Sequence, residues 1–594
     1  MNTLALLLPL LFAPQGAAVP ADEPLLRAVP EDALFVASIP RVAELRARAA
    51  ENAWVKMLRN PLLAPMWQSL SGEGSELSVM ELGRLDGVLA ELDGLCVFVE
   101  PGPDGVEIGL LLAPGPERAE LDRWLDHLMP GRGVVDRAAQ DGLEIEVREL
   151  EDSGSATHLA HLELAGLSAW LQGAGRARVL ERAREVAARW NSAPGSECIL
   201  ASERLTDARR DAGARPAIEL YADLGAIIQR AIEEDPPDET GAKILAAIHV
   251  QGLSWARGGF DVGAGERFDL ELAAKLPDQG FLRTWAGFLG PAPKGLARRI
   301  PRDVSSVSLG RIDLNGIYRS VLAMLEEAAP AQFQEMRAGV EMLNQSIGVD
   351  IEADILDQLT GDYASFVLAE PQTAGEGELH SEMALGLTGM ILPRGMMTFA
   401  TTAYMIGLKD PGIVEQAFSD LLATAGVGEV DVTEHGDFEV SSIPIEGDFG
   451  PCWAFLDDHV LVAVSDGPID AALGMHAESA PPSVLDHPLL RPALDGSAGE
   501  ACVSVADTRA WVRTMIALFT ADSRAFAEFE VSVEEEVEGG TPVYDVEGVD
   551  ASTPDAPEAT KKPELAGLAR HFSGVLVSTF GTRGGVAQLR FYGR

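Results

Sequence analysis

The chain is poor in the residues that mark several common function classes. Its four cysteines, Cys96, Cys198, Cys452 and Cys502, form no C-x-x-C pair, so neither a thioredoxin-like motif nor a zinc ribbon is present. Lysine occurs only at positions 56, 243, 275, 294, 409, 561 and 562, and 46 Lys+Arg face 92 Asp+Glu, a formal net charge of −46. A surface of that sign repels phosphate backbones, which excludes broad nucleic-acid binding but leaves room for a small basic patch. Long apolar runs are missing too: Met390 to Met405 is broken by Pro393, Arg394 and Gly395, whereas a span needs about 20 apolar residues. There is no G-x-S-x-G elbow, S-x-x-K, H-E-x-x-H, phosphate-binding P-loop or strand-led G-x-G-x-x-G. No residue is therefore assigned a catalytic, cofactor-binding or metal-binding role, although catalytic residues assembled in space need no linear motif.

What is present describes a chain able to bury a core: 47% hydrophobic and 23% charged residues. Residues 3–13, TLALLLPLLFA, followed by the small residues of QGAAVPAD, have the pattern of an export leader over 1–21. The expectation is a mature protein in the periplasm or outside the cell, with no transmembrane span. Cys96, Cys198 and Cys502 sit in or beside apolar, strand-like runs, which suits buried thiols; a disulfide is open to an exported protein, but spacing does not give its connectivity.

Internal repetition is the strongest signal. VPEDALFVASIPRVAELRARA from Val29 matches IPRDVSSVSLGRIDLNGIYRSVLAML from Ile300, with Pro30 and Pro301 271 residues apart. VLAELDG at Val88–Gly94 matches ILDQLTG at Ile355–Gly361; each reads as a helix end with a glycine cap, followed by a strand. Gly142 pairs with Gly436, Asp223 with Asp507, and Gly258-Gly259 with Gly584-Gly585. The growing offset calls for insertions near 373–400 and 530–564. Copy one then covers 22–291 and copy two 294–594, joined by the short GPAPKGL.

Strands that alternate, as at Leu143, Ile145 and Val147, favour antiparallel sheets. The expected fold is α+β: two tandem antiparallel sheets, each with helices on one face. Asp223, Asp313 and Asp507 stand where helix N-caps belong. Phe333, Met336, Val340, Leu343 and Ile347 make a helical stripe that reads as core. His158, His161 and Glu163 resemble a metal cluster, but alternation on a strand turns the two histidines to opposite faces. Asp457-Asp458-His459 reads as a turn, and Asp545, Glu547 and Asp550 as a solvated acidic loop with weak calcium potential.

The opening VPEDALFVASIPRVAELRARA, the stretch Asn60-Pro61-Leu62-Leu63-Ala64-Pro65-Met66-Trp67, and the later LTGDYASFVLAEP and YMIGLKDPGIVEQAF resemble a group of large exported bacterial proteins of unknown function. That resemblance implies no catalytic residues. The leading expectation is a non-catalytic envelope protein that binds a partner protein or an apolar ligand between its two copies, because domain junctions host ligands. An exported hydrolase with dispersed residues, and a structural or adhesive surface protein, are the alternatives.

Overall fold

In the computed structural model, residues 23–58, 89–369, 402–513 and 569–594 are described, apart from 104, 116–120, 122–130, 141–142, 151–156, 193–196, 212–215, 428–429, 444–448, 478–479 and 498. The expected leader, both insertions, the Asn60–Trp67 stretch and the Asp545–Asp550 loop lie outside them.

The first half contributes ten strands: β1 (Phe35–Ile39), β2 (Leu92–Gly102), β3 (Gly105–Pro114), β4 (Gly131–Gln140), β5 (Leu143–Leu150), β6 (Thr157–Leu164), β7 (Leu167–Ala174), β8 (Ile218–Ala222), β9 (Ala256–Val262) and β10 (Phe268–Lys275). After the short β11 (Leu289–Gly290) come β12 (Val304–Ile312), β13 (Leu359–Leu368), β14 (Thr402–Leu408), β15 (Asp431–His435), β16 (Phe438–Ser442), β17 (Phe449–Phe455), β18 (His459–Ser465), β19 (Cys502–Asp507), β20 (Val575–Arg583) and β21 (Val586–Gly593). Every pairing is antiparallel. The first half runs β4-β5-β6-β7-β3-β2-β1-β8-β9-β10 across the sheet. The second runs β15-β16-β17-β18-β14-β13-β12-β19-β20-β21, the same order strand for strand. β10 and β21 then pair from Phe268↔Gly593 to Lys275↔Val586, so the halves merge into one continuous mixed α+β sheet rather than two.

Gly258-Gly259 lies inside β9, whereas Gly584-Gly585 is the β20–β21 turn, with both glycines at positive φ. The pair matches in letters but not in place. VLAELDG and ILDQLTG do hold helix ends, at Ala90 and Gln358, but the glycines do not cap them, because β2 already begins at Leu92 and β13 at Leu359. Gly361, at φ 84, sits at the irregularity in β13, where a Cβ would lie 2.7 Å from the Ile312 carbonyl oxygen. Conformation and close approach demand glycine there, not a helix cap.

Strand alternation divides the sheet into two faces. One is roofed over most of each half. In the first half Val36, Cys96, Phe98, Leu111, Ala169 and Leu171 bury against Val179, Leu180, Ala183 and Val186 of one helix (Arg176–Asn191) and Leu205 and Ala208 of another (Glu203–Asp211). In the second, Val307, Phe366, Met405, Leu461 and Val505 bury against Ile469 and Leu473 (helix Asp466–Leu473) and Leu490 and Leu494 (helix Leu490–Gly496). The opposite face is covered towards its two ends. Helix Val42–Ala49 supplies Val42 and Leu45 over Leu95, Leu112 and Trp170. Helix Pro411–Thr424 supplies Val414, Phe418 and Leu422 over Leu408, Trp453 and Val460. Helices therefore use both faces, not one as the sequence suggested.

The three predicted aspartate caps form. Asp223 accepts from the Ala226 amide (2.8 Å), Asp313 from Gly316 (2.8 Å) and Asp507 from Ala510 (3.0 Å). The Phe333–Ile347 stripe does not become core: helix Pro330–Ile347 contains no buried residue, and Leu343 is 47% and Met342 71% exposed. Periodicity located the helix; its neighbours cover only part of the apolar side.

Candidate functional site

The open middle of the second face carries the principal candidate. Across β8, β9, β10 and β21, Ala222↔Ala256, Ala256↔Ala274 and Ala274↔Ala587 stand directly opposite one another. One pair further along the strands run Leu220↔Gly258, Gly258↔Leu272, Leu272↔Leu589 and, into β20, Leu589↔Phe580. The small side chains recess the floor and the leucines form a wall. A Cβ on Gly258 would lie 3.1 Å from Leu220 Cδ1 and 3.3 Å from Leu272 Cδ2, so the two leucines close over the glycine. Phe35 ends the floor on β1, opposite Ala222. The result is an open cleft of about 360 Å³. Its strands come from both halves, and no ionisable side chain of this face lines it. Six adjacent strands line it, and five spacings of about 4.8 Å make a trough of roughly 24 Å. Leu272 is 42% and Leu589 40% exposed on either side of the β10–β21 junction.

The trough does not continue symmetrically into the second half. There the neighbouring row is Ser578↔Ser504↔Ser308↔Ser365, with the Ser308 hydroxyl donating to Ser504 Oγ at 2.9 Å. Its continuation across the junction is Phe591, Leu270 and Phe260. Along this row the face is apolar from β9 to β21 and hydroxylated from β20 to β13.

The polar clusters singled out from sequence resolve differently. His158 and His161 fall on opposite faces of β6, as alternation requires. His161 Nε2 lies 2.8 Å from Glu163 Oε1 and 3.2 Å from Ser168 Oγ, and its ring stacks on Trp170 at 4.1 Å. Acid and hydroxyl meet the same nitrogen, whereas a nucleophile–base relay needs one on each. Ser168 is also fully buried. Among the described residues no group of three His, Cys, Asp or Glu side chains is arranged to hold a metal ion. The four cysteines are free: Cys96, Cys198 and Cys452 are buried, and half-buried Cys502 accepts from the Tyr363 hydroxyl at 3.3 Å.

Asp458 and His459 form more than a turn. Arg299 pairs with Asp458, the His459 Nδ1 lies 2.8 Å from Asp458 Oδ1, and His476 stacks on His459 at 5.6 Å. The Arg299 and His459 hydrogen bonds hold the Asp458 carboxyl at about 2. Burial, together with Arg299, pushes both His459 and His476 below the usual imidazole range, and burial lowers His487 in the same direction. The folded state therefore favours neutral histidine while the unfolded chain takes up protons near pH 6.5, so stability falls as pH drops through and below that value. The depressed Asp458 acts only lower, losing its contribution as pH falls below about 4. The urea midpoint is expected to decline between about pH 7.5 and about pH 5.5, and His459→Gln to flatten that decline. An unchanged slope in the variant removes His459 from the account.

Among the described residues no helix is long and apolar enough to cross a membrane. No family model and no curated protein matches the chain. Two solved structures are similar in part: crystal form IV of TP0453, at 11% identity over 44% of this chain and 81% of that one (TM-score 0.23), and crystal form I of TP0453, at 12% over 45% and 82% (TM-score 0.20).

Proposed function

We propose that the protein is a non-catalytic, exported binding protein whose two halves, about 22–291 and 294–594, descend from one duplicated unit and share an apolar-ligand cleft at their junction. The observation that carries this reading is the 360 Å³ cleft at the β10–β21 junction, with Leu272 and Leu589 side by side in its wall, one from each half. An apolar surface of this kind, left open on both sides of a junction, gains free energy when a hydrocarbon covers it, about 0.8 kcal/mol per buried methylene. The repeated strand order supports the duplication. The 1–21 pattern supports export, as does the resemblance to large exported bacterial proteins.

Occluding the trough tests the reading. Ala274→Phe together with Ala587→Phe places two rings on the recessed floor, displacing three or more methylenes of any guest. Binding of pyrene, a neutral apolar fluorophore, is expected to weaken about fiftyfold or more on that basis. Circular dichroism on the same samples reports whether the fold persists. If the well-folded double variant binds pyrene as the native chain does, the cleft is not the binding site.

A further inference from the structure

The two halves share a strand order but differ in chemistry along one row of the open face. Two anchors fix which positions are equivalent. Ala37 and Ser308 each stand seven residues after the matched prolines Pro30 and Pro301, and Leu220 and Ser504 each stand three residues before the matched caps Asp223 and Asp507. The register agrees with both anchors, since Ala37 lies opposite Leu220 and Ser308 opposite Ser504. Across the first half the row reads Gly258, Leu220, Ala37, Val97 and Leu110, apolar throughout. Across the second it reads Ser578, Ser504, Ser308, Ser365 and Tyr404, a hydroxyl at every place. Packing alone gives no reason for that change in five separate strands, because a hydroxyl taken from water costs free energy until it finds a partner. Ser308 and Ser504 bond to each other, whereas the hydroxyls of Ser578, Ser365 and Tyr404 form no hydrogen bond within the described residues. All five residues are half-buried rather than sealed in the core. The row also adjoins the trough: Ser578 lies opposite Phe591 and, by strand alternation, on the same face as the wall residue Phe580 two positions on.

We propose that the cleft takes an amphiphile with an uncharged, hydroxyl-bearing headgroup, its alkyl chain in the trough from β8 to β21 and its head on Ser578 and Ser504. This rests on the cleft being the binding site. A serine hydroxyl donates one hydrogen bond and accepts others, as the hydroxyls of a polyol do, so the two sets pair in either sense. No Lys, Arg, Asp or Glu stands in the row, so a charged head finds no counter-charge there. The apolar stretch from β8 to β21 covers three strand spacings, about 14 Å, which holds an extended alkyl chain of medium length. Divergence of the second copy thus gives a duplicated apolar face one polar end, and gives the guest one orientation.

The test is displacement of pyrene from the full-length native chain by dodecyl glucoside, 1-dodecylglycerol and 1-chlorododecane, repeated on Ser504→Ala/Ser578→Ala. Chlorododecane has the same chain and no hydroxyl, so the affinity ratio of each polyol to it isolates the headgroup. At least one of the two ratios is expected to fall about tenfold in the double variant, the loss of two ordinary hydrogen bonds, while chlorododecane binds as before. The arm that falls distinguishes a sugar head from a glycerol head. Circular dichroism reports whether the double variant folds; if it does not, Ser578→Ala, which breaks no internal hydrogen bond, carries the same test with an expected fall of about threefold. Ratios that stay unchanged in the folded variant overturn the headgroup assignment and leave the cleft standing, as does a native chain from which chlorododecane displaces pyrene and neither polyol does. If none of the three displaces pyrene, or pyrene itself does not bind, the cleft reading falls and this one with it.

Discussion

Replacing Arg182 by methionine is expected to destabilise the fold by about 3–5 kcal/mol, the usual cost of removing one partner from a buried ion pair. Arg182 is 1% exposed in the core of the first half, with Glu100 at 5% and Glu107 at 4%. Its Nε pairs with Glu100 and lies 3.5 Å from Glu107 Oε2, while Nη1 donates to the Ile108 and Gln172 carbonyls. Arg178 reaches the same Glu107 at 3.0 Å. Without Arg182, two carboxylates share a low-dielectric site with one partly exposed cation, and two strand carbonyls lose a donor. Burial already holds Glu100 above the usual carboxylate range. Removing its counter-charge raises it further, so the folded variant binds a proton that the unfolded chain does not. The deficit of Arg182→Met should therefore shrink as pH is lowered towards about 5, opposite in sign to the histidine effect. Adding Glu100→Gln and Glu107→Gln should recover most of the loss, because the amides remove the stranded charge. Urea melts of the single and triple variants at two pH values decide it. A single variant within about 1 kcal/mol of the native chain would show that the cluster contributes little.

That cluster also marks where sequence reading stops. The strands were legible because Leu143, Ile145 and Val147 alternate, and the three aspartate caps because a short acceptor before a helix has one structural use. The repeat was legible where loops held their length: Asp223 and Asp507 stand at the ends of β8 and β19, which occupy equivalent places in the two strand orders. It failed at Gly258-Gly259, where Gly258 lines the cleft within a strand while Gly584-Gly585 make a hairpin turn. Arg182 appeared only as one of several charges on an amphipathic helix. The counterpart helix Asp466–Leu473 is 8 residues to its 16 and has no arginine, so nothing in the repeat pointed to a buried charge. The cleft was invisible for a related reason. Ala222, Ala256, Ala274 and Ala587 lie in four separate strands, and only antiparallel register places them in one row. The available hint was small residues inside strands, which often mark close approach of another group.

Gln588→Pro is expected to be the most disruptive single change at the junction between the halves. Gln588 lies in β21, opposite Ala273 of β10 and Gly581 of β20. Its amide faces a strand on whichever side it points, so a proline removes a ladder hydrogen bond and clashes within an interior strand, at about 3 kcal/mol or more. The bond from Gln588 Nε2 to Glu271 Oε1 at 2.6 Å is lost as well. Gln588→Thr removes that side-chain bond but keeps the ladder, and should cost far less. If β21 joins the halves as the register indicates, amide hydrogen exchange in the proline variant will accelerate on both β10 and β20, while β5 to β7 and β16 to β18, far from the junction, keep their protection. A variant in which β10 remains as protected as in the native chain would mean that the first half closes its own edge. The continuous sheet, and with it a cleft shared between halves, would then be wrong. The expected loss of pyrene binding in the proline variant follows from the same geometry, since Leu272 and Leu589 stand side by side only while β10 and β21 are paired.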